Sequence, residues 1–129
     1  MESQDKKKPF GLKRIFNSIK NSISGLIIAY QNEQSMTLQL LASIFLIIVS
    51  IICKISRIEW MIVIAIIGLG CTIELLNTAI ENVIDLLTDK FHPLAKAAKD
   101  TASAAEFVLC IISFLITLLI FIPKIKGWL

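Results

Sequence analysis

The chain has 129 residues, of which 56% are hydrophobic and 18% charged, with a formal net charge of +3. So apolar a composition excludes an ordinary soluble domain of this size and points to a membrane protein. Cys53, Cys71 and Cys110 stand alone in apolar runs, with no CxxC and no Cys/His cluster, so neither a zinc site nor a disulfide framework is expected.

Residues 1–10 open with a basic stretch, MESQDKKKP, that reads as a flexible tail. No continuous apolar region or small-residue cleavage site follows, so no signal peptide is expected. In residues 11–31, Leu12, Ile15, Phe16, Ile19, Ile23, Leu26, Ile27 and Tyr30 recur at steps of three and four. Lys13, Arg14, Asn17, Lys20, Asn21 and Ser24 lie between them. That pattern predicts an amphipathic helix with a basic polar face, suited to the headgroup layer of a bilayer. A polar break, QNEQS, contains Glu33.

Three apolar segments follow, at 36–53, 60–87 and 104–122. Each is near the roughly 20 residues that cross about 30 Å of hydrocarbon, and only helices satisfy the backbone there. The expected architecture is therefore an all-α membrane protein, one domain over 1–129, with three transmembrane helices and an N-terminal surface helix. Nine Lys and Arg residues flank the chain on the side of its N-terminus and the loop after the second span, against four on the other side. The positive-inside rule puts the N-terminus in the cytoplasm and the C-terminus outside. No nucleic-acid partner is expected.

The second segment ends in ELLNTAIENVIDLL, residues 74–87. Glu74, Asn77, Glu81 and Asp85 fall within an arc of roughly 80° on a helix. Ionised groups in a bilayer cost about 2.5–3.5 kcal/mol each on insertion scales, so three acids on one stripe need a compensating partner. One reading pairs them with lysines of neighbouring helices to fix assembly. The other has them hold a hard divalent cation through oxygen ligands, with Glu33 completing the site beside Glu81.

A polar stretch over 89–106 follows, read as a loop on the cytoplasmic side. Lys99 suits phosphate as a point cation, and Asp100 suits metal binding, orientation of Lys99 or capping of the third helix. His92 is a lone histidine before Pro93. Ala102, Ser103, Ala104 and Ala105 permit close helix approach. No P-loop or GxGxxG is present. Acids for a metal, a lysine for phosphate, and Glu74 as general base for a lipid hydroxyl would suffice for phosphoryl transfer, which is mostly positioning and charge neutralisation. A small divalent-cation channel is the alternative, although no acid continues through Trp60–Ile73 to line a path. A purely structural role for the acids is a third reading.

The stretches ELLNTAIENVIDL and FHPLAKAAKDTASAA, with NE before the first span, resemble the prokaryotic diacylglycerol kinase family, which includes the undecaprenol kinases. The resemblance implies a homotrimer with active sites shared between subunits in the bacterial inner membrane. It also implies ATP- and magnesium-dependent phosphorylation of a membrane lipid alcohol. Glu74 would be the catalytic base, Glu33 and Glu81 the magnesium ligands, and Lys99, Asp100, Arg14 and His92 nucleotide contacts. Asn77 would support the site and Ser103 would lie near the lipid. The wording is closer to the undecaprenol kinases of Gram-positive bacteria. Two residues depart from the family pattern. Asn21 replaces an aromatic that stacks on adenine in some members, and Glu106 stands where an apolar residue is expected.

Overall fold

The computed structural model describes residues 11–128; the basic tail lies outside them. The chain is helical throughout, with α1 at Leu12–Asn32, α2 at Gln34–Ile52, α3 at Arg57–Leu87 and α4 at Pro93–Lys126. It divides into two compact units, one ending at Asn32 and the other beginning at Glu33.

The first unit is α1. Leu12, Ile15, Phe16, Ile19 and Ile23 are each more than half exposed, and Lys13, Arg14 and Lys20 are exposed as well.

In the second unit, α2, α3 and α4 are each long and apolar enough to cross a membrane. Only 11% of the most apolar window of each is buried within the chain, so most of this apolar surface needs lipid or other protein around it. α3 is the middle helix, packing against α2 on one side and α4 on the other. The α2–α3 connection is tight. Lys54 takes φ 47°, and Ser56 and Glu59 form a reciprocal capping box that starts α3. Glu59 also meets Lys124 of α4 at 3.0 Å, beside an apolar cluster of Cys53, Ile55, Val63, Ile120 and Phe121. This is the packed end of the bundle. Along the helices Ser43, Ser50 and Thr72 donate to the carbonyl four residues back, which satisfies hydroxyls that would otherwise face hydrocarbon unpaired.

At about 1.5 Å per residue, the 31 residues of α3 and 34 of α4 are longer than a bilayer core is thick, whereas the 19 of α2 only just span it. Helices of that length reach beyond the hydrocarbon, and the far end of the α3–α4 hairpin is the one opposite Glu59 and Lys124. It carries Glu81, Asp85, Lys99 and Asp100.

One expectation is corrected here. Most of the 89–106 stretch is helix, and α4 begins at Pro93 rather than at 104. Pro93 sits in the first turn, where its missing N–H costs nothing, and His92 caps the start by accepting from Leu94 N through Nδ1 at 3.2 Å. The alanines that follow are the strongest helix formers. Asp100 is accordingly an interior helical residue, not the cap.

Candidate active site

α3 carries Glu74, Asn77 and Glu81 down one face. Glu74 is 1% exposed and Asn77 9%, both within a helix that is mostly open to its surroundings. The Asn77 side-chain N–H donates to a Glu81 carboxylate oxygen at 3.5 Å. Both Glu74 carboxyl oxygens and the Asn77 Oδ1 are buried with no hydrogen-bond partner among the described residues. A buried polar group left unpaired costs roughly 1–3 kcal/mol, so these three oxygens are where the fold keeps places for a ligand.

The stripe emerges toward its C-terminal end. Glu81 is half-buried and Asp85 exposed. Asp85 accepts from Lys99 Nζ at 2.5 Å across the α3–α4 hairpin, and Lys99 also feels the charge of Glu81. Lys96 pairs with Asp100 at the same distance, one turn along α4. Asp85, His92, Lys96, Lys99 and Asp100 line one open groove of about 630 Å³ at the hairpin tip. Three lysines, Lys90, Lys96 and Lys99, share this groove with His92 and with Asp85, Asp89 and Asp100, so Lys96 and Lys99 can meet a polyanion only by exchanging their aspartate partners for it.

The remaining expected residues lie elsewhere. Glu33 is the N-cap residue of α2 in extended conformation, but its side chain makes no capping bond. Ser103 is exposed on α4, one turn past Lys99. Arg14 belongs to α1, where it lines a shallow depression with Gly11, Ile15 and Ser18. Among the described residues no three His, Cys, Asp or Glu side chains cluster closely enough to hold a metal ion. The oxygen donors present, Glu33, Glu81 and Asn77 Oδ1, are of the chemical kind that suits magnesium.

The comparisons with known proteins bear on this arrangement. Residues 20–121 match the prokaryotic diacylglycerol kinase family. The undecaprenol kinase of Bacillus subtilis is 42% identical over 125 residues, covering 97% of this chain and all of that protein. The diacylglycerol kinase of Pseudomonas aeruginosa is 41% identical over 98 residues, covering 76% of this chain and 80% of that protein. The diacylglycerol kinase of Escherichia coli K12 is 29% identical over 103 residues, 80% of this chain and 84% of that protein. This chain belongs to the prokaryotic diacylglycerol kinase family. It is a membrane-bound lipid kinase.

Two features of the kinase go beyond the expected set. Lys96 joins Lys99 in the hairpin groove, a pairing foreshadowed by its i,i+4 spacing to Asp100. Glu106 sits on α4 against Glu74, feels Glu81 as well, and forms no ion pair among the described residues. The sequence signal for it was an acid interrupting an otherwise apolar helix just after the small-residue run. Of the three cysteines only Cys53 is buried; Cys71 is half-buried and Cys110 exposed, because few residues of α4 are buried within the single chain.

Proposed function

We propose that this kinase transfers the γ-phosphoryl group of ATP to the hydroxyl of undecaprenol, with magnesium, at the cytoplasmic face of a bacterial inner membrane. The observation that carries this reading is the Glu74 carboxyl, buried and unpaired on α3, roughly 16 Å along the same helix from Asp85 of the lysine-lined groove. Undecaprenol is favoured over diacylglycerol because the relative named for it matches along 97% of this chain and the whole of that protein.

The lipid hydroxyl reaches Glu74 from the membrane side. Glu74 accepts the hydroxyl proton as the oxygen attacks the γ-phosphorus. The new O–P bond forms while the bond to the β,γ-bridging oxygen breaks, and ADP leaves with that electron pair. Lys99 and Lys96 neutralise the triphosphate, which requires Lys99 to exchange Asp85 for phosphate oxygens. His92 and Asp100 border the same volume. Arg14 of α1 is a further candidate nucleotide contact by the family resemblance alone. Magnesium, held by Glu33 and Glu81 with Asn77 in support, would supply charge neutralisation at the β- and γ-phosphates when bound. Ser103, exposed one turn from Lys99 on α4, would lie near the lipid.

The test is Glu74→Gln, assayed with labelled ATP and undecaprenol in mixed micelles. Turnover falls by at least about a thousandfold while assembly and ATP binding persist, since the change removes the base but keeps the shape. Retention of full activity excludes Glu74 as the base.

A further inference from the structure

Every side chain of α1 from Leu12 to Ile28 is exposed, and Ala29 is the helix's one buried residue among the described residues. At about 100° per residue, Leu12, Ile15, Phe16, Ile19, Ile23 and Ile27 fall within an arc of roughly 120°. Lys13 and Lys20 stand together at one edge of that arc, about 10 Å apart along the axis. The other edge carries Ser22 and Ala29, which are small and uncharged. Arg14 lies on the opposite side of the helix, away from the apolar arc.

Charge is distributed as unevenly along the chain as around α1. The helix contains no Asp or Glu. Residues 1–32 hold six Lys and Arg against two acids, whereas residues 33–129 hold seven against eight. The net positive charge of the chain therefore resides in α1 and the stretch before it. Neither Lys13 nor Lys20 forms an ion pair among the described residues.

Connectivity says what this face meets. Only Glu33 separates α1 from α2, whose 19 residues just span the hydrocarbon, so α1 ends at the boundary of a bilayer. The apolar arc favours any bilayer, but the lysine edge does not. Lysine stems lie along apolar surface while their ammonium groups reach phosphate. Each such cation strengthens binding to an anionic leaflet by about fivefold and adds little on a neutral one. A lone helix of this length is marginal in water, so α1 gains its order from the surface that holds it.

We propose that the Lys13–Lys20 edge of α1 binds the headgroup phosphates of anionic phospholipids, and that α1 is held on the bilayer through the negative charge of the leaflet. This surface lies outside the transfer chemistry, and its test does not depend on the kinase reading.

The full-length protein is placed in nanodiscs of phosphatidylcholine, alone or mixed with phosphatidylglycerol, and amide hydrogen exchange of α1 is read relative to α3 in the same sample. Exchange in wild-type α1 is at least about tenfold slower on the anionic discs. The Lys13→Gln, Lys20→Gln double variant loses most of that difference, and Lys13→Arg, Lys20→Arg keeps it. Wild-type rates within twofold of each other on the two surfaces overturn the proposal, since the apolar arc or another protein then covers α1 regardless of lipid charge. A glutamine double variant as slow as wild type on anionic discs overturns it as well. So does inorganic phosphate that slows exchange on neutral discs, because a free anion and not the bilayer would then be the ligand.

Discussion

Glu74 shows how a single side chain can work against the fold that holds it. Its carboxyl is sealed from solvent with neither oxygen paired, and the side chain it meets from α4, Glu106, is another acid. Strain of this kind collects at functional positions, where stability is exchanged for readiness to bind. The Glu74→Gln variant should therefore melt a few degrees higher than wild type even as turnover is lost, because an amide can donate to Glu106. A differential scan in detergent checks this, and a lower melting temperature would show that Glu74 is structural. Lys99 presents the opposite case. Its bond to Asp85 is exposed and screened by solvent, so it contributes little to stability. Lys99→Ala should leave melting nearly unchanged while raising the KM for ATP by tenfold or more, whereas Asp85→Ala, which frees the lysine, should lower it. Initial rates against ATP concentration separate the two.

At the scale of elements, the helical periods of 60–87 made α3 and its acid stripe legible from the sequence, because Glu74, Asn77, Glu81 and Asp85 are held to one face by geometry alone. The start of α4 was less legible. Charged and small residues over 93–106 have the composition of a loop, yet their alanines favour helix and Pro93 is a first-turn residue. The partners of Lys99 and Glu106 were not legible at all. Both depend on the register of α4 against α3, which no local pattern encodes. The same boundary gives His92 two separable duties, as cap and as a wall of the hairpin groove. Asparagine is also a good cap, so His92→Asn should preserve the start of α4, while His92→Ala should cost about 0.5–2 kcal/mol. If His92 also contacts nucleotide, both variants raise the KM for ATP; if it only caps, Asn restores wild-type values. Thermal melting and ATP titration on the pair decide between them.

At the scale of the whole molecule, two facts point past the single chain. Only about a tenth of the most apolar stretch of each of the three long helices is fully buried, and no three His, Cys, Asp or Glu side chains gather into a metal site among the described residues. Lipid alone would answer the first fact but not the second. A symmetric oligomer answers both, if Glu33 of one subunit and Glu81 of a neighbour face each other across an interface repeated around the axis. The homotrimer that the family resemblance implies is of this kind, and it makes a sharp prediction. Glu33→Gln and Glu81→Gln chains should each be nearly inactive alone. Co-expressed in equal amounts, they create interfaces at which the Glu33 of one variant meets the Glu81 of the other. Random mixing makes about a quarter of the interfaces whole, so activity should recover toward that fraction of wild type. A site closed within one chain cannot be repaired in this way, because every chain in the mixture carries a lesion. Mixed assemblies that stay as inactive as their parents would therefore rule out the shared site, and the apolar faces would then be covered for reasons unrelated to catalysis.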